Sequence, residues 1–355
     1  MASPLRAGLL ALAILFARSN AEAQEAKIVR IATTGYVSGG KLQVGGAGAA
    51  GRVAREGWLA AQLKEKGYTL EWMAVAGDTG PVINEAFASR RIQFASYGDL
   101  PSLILNAAGI QTRMIVPLGR GTDVYLLVPN NSTARSVTDL KGKRISLHRS
   151  RPWEMSFYKL IADHGLGRRD FRIMNMDPHA GVAALAGGSV DGHFSNNGLT
   201  YAARKVGKVI WSSQDDFNKK MRAELWASQP FLAARPDIAQ LVATAFVRAQ
   251  YYNSQDSHRE EVIQEGSRNG TPVAIVRQTY ANPLIVWKDS WTPLFDGLVW
   301  QQYRQSAAFA FDRKIISRKV PAESLLEPRF LQAALKDLKL NGYWKPWSGD
   351  TPPAP

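Results

Sequence analysis

The sequence predicts an α/β protein built as two similar lobes. Three observations carry that reading. Short apolar strands alternate with helix-forming stretches from residue 28 to residue 211, the rhythm of a parallel or mostly parallel sheet. The pattern Ala86-Phe87-Ala88, a three-residue gap and Ile92-Gln93 recurs as Ala184-Leu185-Ala186, the same gap and Val190-Asp191. A helix end, a tight turn and a short strand thus occur twice. From Pro236 onward the apolar spacing turns helical, as in Ile238, Leu241, Val242, Ala245 and Phe246.

Residues 1–23 read as a signal peptide. Arg6 precedes an apolar run over residues 7–17, and Ala21-Glu22-Ala23 supplies small residues at a cleavage site. The run falls short of the roughly 20 residues needed to span a bilayer. The mature chain is expected to begin near Gln24, in the periplasm. Strands follow over 28–33, 68–75, 92–96 and 114–117, with helices between them. Pro81 opens one helix; Asp99 caps another, with Pro101 in its first turn and Gly109 at its end. A second set of strands covers 125–128, 144–147, 171–174, 192–194 and 209–211. Ser136-Val137-Thr138-Asp139 reads as a capping box, and Asp177-Pro178 as a helix start. Helices are expected over 153–164, 237–252 and 291–311. The first lobe is then discontinuous, 24–118 and 236–341, the second lobe is 119–235, and 342–355 form an irregular C-terminal tail.

The chain has 355 residues and no cysteine, which excludes disulfides, thiolate metal sites and thiol catalysis. Lys and Arg number 44 against 30 Asp and Glu, a formal net charge of +14. No basic run exceeds two residues, so the charge suits attraction of an anionic solute better than nucleic acid.

Ligands of open α/β sheets bind beyond the carboxyl ends of strands, where helix starts present free N–H groups. Five loops qualify, and their small or hydroxylic residues permit close approach to oxyanion oxygens. They supply Ser38 and Gly39; Gly77 and Asp78; Ser96, Tyr97, Gly98 and Asp99; Ser150, Arg151 and Trp153; and Ser195 and Asn196. Arg149 and Arg151 stand at a helix start, where cations oppose the helix dipole unless an anion shares the site. Gly46-Ala47-Gly48-Ala49-Ala50-Gly51 fits G-x-G-x-x-G, with Glu71 following, but too many residues separate it from the first strand. Small residues at the start of a helix packed on a sheet explain it better. His148 and His193 fall near strand ends of the second set, where they would share a cleft as hydrogen-bonding groups. No catalytic elbow or metal-binding His spacing is present, so neither catalysis, a metal nor a cofactor is expected.

Two blocks give the chain a resemblance: residues 91–101, Arg-Ile-Gln-Phe-Ala-Ser-Tyr-Gly-Asp-Leu-Pro, and residues 137–145, Val-Thr-Asp-Leu-Lys-Gly-Lys-Arg-Ile. The helix and strand at 184–191 and the closing Asp312-Arg313-Lys314-Ile315-Ile316 add to it. The chain resembles the periplasmic solute-binding proteins of aliphatic sulfonate, taurine and nitrate ABC importers. The resemblance implies a type II periplasmic-binding-protein-like fold, two lobes joined by two crossing strands, with a small anion between them. It also implies hinge closure, monomeric action and delivery to an inner-membrane ABC permease. Family contacts carry over best to Ser96, Tyr97, Gly98 and Asp99. The chain departs from the pattern at Arg151-Pro152-Trp153, where relatives carry several Ser, and at Asn196-Asn197-Gly198, where sulfonate binders carry Trp-Asp-Pro. Other ligands for the same fold are an aromatic carboxylate, nitrate or a thiamine precursor. The rivals are a biosynthetic enzyme on this fold and a sensory ectodomain.

Overall fold

The computed structural model describes residues 27–77, 79–282 and 284–348. The expected signal peptide and Asp78 lie outside the described residues. Two separate sheets form. In the first, β1 (Ile28–Ser38) is flanked by β3 (Thr69–Val75) and β4 (Phe94–Gly98), both parallel to it. Beyond β4 lie β11 (Ala223–Ser228) and β5 (Thr112–Pro117), with β11 antiparallel to both neighbours. The far end of β1 leaves this layer and pairs with β2 (Lys41–Val44) as a hairpin. The second sheet has the order β10 (Lys208–Ser212), β6 (Tyr125–Val128), β9 (Gly192–Ser195), β7 (Arg144–Leu147), β8 (Arg172–Met174). Here β7 is parallel to β8 and β9, while β6 and β10 run antiparallel.

Hydrophobic periodicity builds these layers. The first β3 residues, Thr69 to Trp72, alternate in exposure, because one face packs and the other meets solvent. Strands β6 and β9 are buried throughout, as expected where helices cover both faces of a sheet. Helix Pro236–Ser254 buries Ile238, Val242, Ala245, Phe246 and Ala249 under the first sheet, the stripe its sequence spacing predicts. Asp177 caps helix Pro178–Ala186 by accepting from the His179 and Ala180 amides at 2.8 and 3.1 Å.

The structure corrects four expectations. Strand β11 belongs to the first sheet, although the sequence reading placed residues 119–235 in the second lobe. Its central position hides it: both faces are covered, so the run Leu225-Trp226-Ala227 shows no alternation. The sheets are mixed rather than mostly parallel, because the chain returns to the first sheet in the opposite direction. The late helix begins at Gly297, not 291, since Asp296 accepts from the Val299 amide and the 3₁₀ turn Trp287–Trp291 ends ahead of Pro293. Asp99 is the first residue of helix Asp99–Ala107, not its cap, a position held by Gly98.

Two segments connect the sheets, residues 118–124 and 213–222. They lie side by side, with Thr122 and Met221 exchanging backbone hydrogen bonds of 2.8 and 3.0 Å. Both carry buried cations: Arg120 pairs with Asp296 at 2.6 Å, and Lys220 pairs with Asp123. In the described part of the C-terminal stretch, 342–348, Trp344 and Trp347 are buried, and Trp347 lies edge-on to Phe217 and beneath Arg120.

Candidate ligand-binding site

Between the two sheet-bearing halves lies a cavity of about 330 Å³. Helix starts from both halves converge on it. The first half contributes residues 48–51 at the start of helix Ala49–Glu56, Thr79-Gly80 at the start of helix Thr79–Ala88, and Ser96-Tyr97-Gly98 leading into helix Asp99–Ala107. The second half contributes Arg151-Pro152-Trp153 at the start of helix Pro152–Asp163, and Asn196 ahead of helix Gly198–Ala203. Arg222 from the crossing segment, with Tyr280 and Trp291, completes the wall.

Three of these helix starts have no side-chain cap. Gly48, Gly98 and Arg151 occupy the cap positions, and none offers a side-chain oxygen to the first turn. Pro101 and Pro152 have no N–H and the Leu100 amide donates to Asp99, so the first-turn donors left to an anion lie chiefly at residues 49–51 and Trp153, with the helix dipoles adding positive potential. No carboxylate among the described residues lines the cavity, while Arg151 and Arg222 do. Tyr97, Trp153 and Trp291 also line it, and each carries a buried O–H or N–H with no hydrogen-bond partner in the protein. Unmatched buried donors of this kind are costly and mark places where a ligand or ordered water completes the bonding.

The local sequence explains the geometry. At Gly51 a side chain would meet the Gly45 carbonyl oxygen at 1.8 Å, so the glycine-rich run lets this helix start close against the β2 turn. In the second half, Ser150 takes a left-handed φ of +59°. Its amide donates to Glu154 Oε2 at 2.6 Å, and the Arg151 carbonyl then accepts the first helical bond from Glu154 at 2.9 Å. Arg151 lies over the Trp153 ring at 4.8 Å and donates across to the Gly77 carbonyl of the other half at 3.0 Å. The halves also meet where a Cβ at Gly80 would stand 2.7 Å from the Ser150 carbonyl, and one at Gly98 only 2.0 Å from Pro152 Cγ.

Behind the cavity wall is a buried ionic cluster. Arg222 donates to Glu224, to Gln302 Oε1 at 3.0 Å and to the Gly119 carbonyl at 3.0 Å. Lys159 reaches in from the second half to Ser306 Oγ and the Asn218 carbonyl, both at 2.9 Å. Burial pushes the Asp99 carboxyl up to about 7, with Glu224 adding to the rise and Lys159 and Arg222 opposing it. Burial likewise raises Glu224 and the Tyr97 phenol.

Of the residues singled out from sequence, Ser96, Tyr97, Gly98, Arg151, Trp153 and Asn196 line the cavity together. Gly77 stands at its edge through the Arg151 bond. Ser150 touches the other half by its carbonyl but lines a separate outer groove. Asp99 is buried behind Gly98, where its own carboxylate accepts from the Leu100 amide. Ser195 is buried and accepts from the Asn197 amide at 3.3 Å. Ser38 and Gly39 sit at the exposed tip of the β1–β2 hairpin, away from the cavity. The two histidines do not share the cleft: His193 bonds Ser146 Oγ at 3.2 Å, burial lowering its pKa to about 4, and His148 packs near Trp153. Sequence reasoning did not assign residues 48–51, Arg222, Tyr280 or Trp291 to the site. The glycine-rich run carried a usable signal; the others come from distant segments with no local motif. Among the described residues no group of three His, Asp or Glu side chains could hold a metal, and no helix is long and apolar enough to cross a membrane.

A family model described as NMT1/THI5 like matches residues 64–256. The chain belongs to that family. It is similar to the periplasmic sulfonate-binding protein SsuA of a sulfonate ABC transporter from Methylobacillus flagellatus KT, at 39% identity and a TM-score of 0.80, covering 91% of this chain and 98% of that one. A Bacillus subtilis (strain 168) protein named for aliphatic sulfonate binding is 22% identical over 293 residues, 82% of this chain and 86% of the relative. The fold also matches that of the desulfurization enzyme DSZB, solved as a Cys-to-Ser mutant with biphenyl-2-sulfinic acid. That match has 18% identity and a TM-score of 0.63, over 87% of this chain and 99% of that one. The type II two-lobed architecture expected from the sequence is that of these neighbours.

Proposed function

We propose that this protein is the periplasmic solute-binding component of an ABC importer, and that it carries a small organic sulfonate in the cavity between its halves. The observation that carries the reading is the convergence of uncapped helix starts and two arginines on a cavity with no carboxylate among its described lining residues. A sulfonate presents three oxygens of shared negative charge, which several separate N–H donors can satisfy at once. Trp153, Tyr280 and Trp291 would receive the organic part. The likeness to the Methylobacillus flagellatus protein supports this ligand class over nitrate, a carboxylate or a thiamine precursor.

The first lobe would comprise residues 24–118 with 223–341, the second would lie between, and segments 118–124 and 213–222 would be the hinge. Closure would bring Gly80 and Gly98 against Ser150 and Pro152, the contacts described above. The protein would act as an exported monomer that delivers its solute to an inner-membrane permease. It would bind rather than convert: a chain with no cysteine has no thiol for desulfurization by thiolate attack. Thermal unfolding of residues 24–355 with methanesulfonate, taurine, alkyl and aryl sulfonates, nitrate and benzoate tests the reading. A specific sulfonate at a hundred times its dissociation constant stabilises by about 2.7 kcal/mol. Stabilisation by nitrate or benzoate and by no sulfonate would refute it, as would turnover of a bound sulfonate.

A further inference from the structure

A second and larger concavity lies outside the cleft, with a volume of about 690 Å³. Its floor is apolar and joins both halves: Leu166, Phe171 and Ile173 on one side, Ile104, Phe309 and Ile315 on the other. Its rim is cationic, formed by Arg149, Arg168, Arg169, Arg313 and Lys314. The one carboxylate among the described residues of its wall, Glu154, is already engaged by the Ser150 amide at 2.6 Å, the Tyr158 hydroxyl at 2.8 Å and Arg149 at 3.5 Å. Among the described residues no carboxylate stands within ion-pair distance of Arg168, Arg169, Arg313 or Lys314. Arg149 and Arg168 both act on the buried Tyr158 hydroxyl, so their charges gather at one end of the groove. The left-handed turn at Ser150 separates the two concavities: Arg149 and Ser150 line the outer one, Arg151 the inner one.

We propose that this groove is a second binding site, for one small amphipathic anion whose chain or ring lies on the apolar floor while its acidic head meets the Arg168–Arg169 and Arg313–Lys314 rim. The argument is complementarity. Exposed like charges repel unless an anion lies among them, and an apolar floor of this size gains by losing water. A concavity of a few hundred Å³ suits a single small molecule, in the usual range for such sites. A compact anion such as methanesulfonate could not cover the floor and would prefer the cleft.

Calorimetric titration with octane-1-sulfonate and with methanesulfonate tests the inference. Octane-1-sulfonate is expected to occupy two sites per chain, methanesulfonate one. The exposed double charge reversal Arg168→Glu with Arg169→Glu should weaken the outer site at least about tenfold, and Lys314→Glu should act in the same direction. Raising salt from about 50 to about 500 mM should weaken the outer site more than the cleft, because the rim is exposed. One octane-1-sulfonate per wild-type chain bound equally well by the double variant, or two sites unchanged in the double variant, would overturn the second site. If the cleft reading alone is wrong, methanesulfonate fails to bind, octane-1-sulfonate binds once per chain, and the double variant weakens that one site at least about tenfold.

Discussion

Residues 48–51 and Gly98 bring the first half to the cavity as bare helix starts, whereas Arg151, Trp153 and Asn196 bring the second half to it as long polar and aromatic side chains. The first wall is mostly backbone, fixed by tight packing such as that of Gly51 against the Gly45 carbonyl. The second wall depends on which side chains project from two turns, the one set by Ser150 and the one that carries Asn196. Backbone donors carry no chemical identity beyond N–H, so the first wall recognises any oxyanion. Side chains can be exchanged without rebuilding the sheet, so the second wall is where ligand choice resides.

Substitutions on either side separate these roles. The largest effect is expected at Gly98→Val. Gly98 has an extended φ of −74°, which any residue adopts, so the open protein should fold normally. Its side chain would collide with Pro152 of the opposite half, 2.0 Å from a Cβ. Overlap of this kind costs up to about 3 kcal/mol, so sulfonate affinity measured calorimetrically should fall on the order of 100-fold with little change in the melting temperature of the free protein. An unchanged affinity would mean that the halves need not meet.

Arg151→Ala comes next. Loss of a charged hydrogen bond of about 1.5–3 kcal/mol predicts a roughly 10- to 100-fold weaker sulfonate affinity. Equal affinity in the variant would return ligand choice to the first wall.

The support of the backbone wall includes a titratable group, Asp99 behind Gly98. Asp99 titrates near 7 in the folded protein because of burial first and Glu224 second. An unfolded aspartate titrates near about 3.9. Between those values the folded chain holds a proton that the unfolded chain lacks, so this group's stabilisation is fully present below about pH 4 and is lost as pH rises through 7. His193, lowered to about 4 by burial, contributes the opposite slope up to about pH 6.5, so the group is read from the difference between wild type and Asp99→Asn in urea unfolding, which should fall from pH 5 to pH 7. A difference that is flat or rises across that range would contradict the assignment.

The smallest effect is expected at Ser38→Ala. The hairpin tip is exposed and distant, so affinity should change by less than about 0.5 kcal/mol, as at ordinary surface positions. A tenfold loss would extend the site to the hairpin.

Much of this was legible in the chain. Strands such as β1, β3 and β7 and helix Pro236–Ser254 follow from apolar periodicity, and Asp177 caps where its sequence says it should. Ser96-Tyr97-Gly98 and Arg151 were recognisable as site candidates because both follow strand ends and open helices. Strand β11 was not legible, since burial on both faces erases alternation. Arg222, Tyr280 and Trp291 were not either, because they reach the cavity from a crossing segment and from the late helical region, each without a local pattern.

By itself the sequence determined the alternation of strands and helices, the absence of thiol chemistry and the excess of cations, since these depend only on local spacing and composition. Only the tertiary structure decided which arginine faces the cleft and which the outer groove, and that β11 returns to the first sheet. Those outcomes depend on contacts between residues far apart in the chain. A left-handed turn at one serine, or the direction of a returning strand, is fixed by what packs against it and not by its neighbours in sequence.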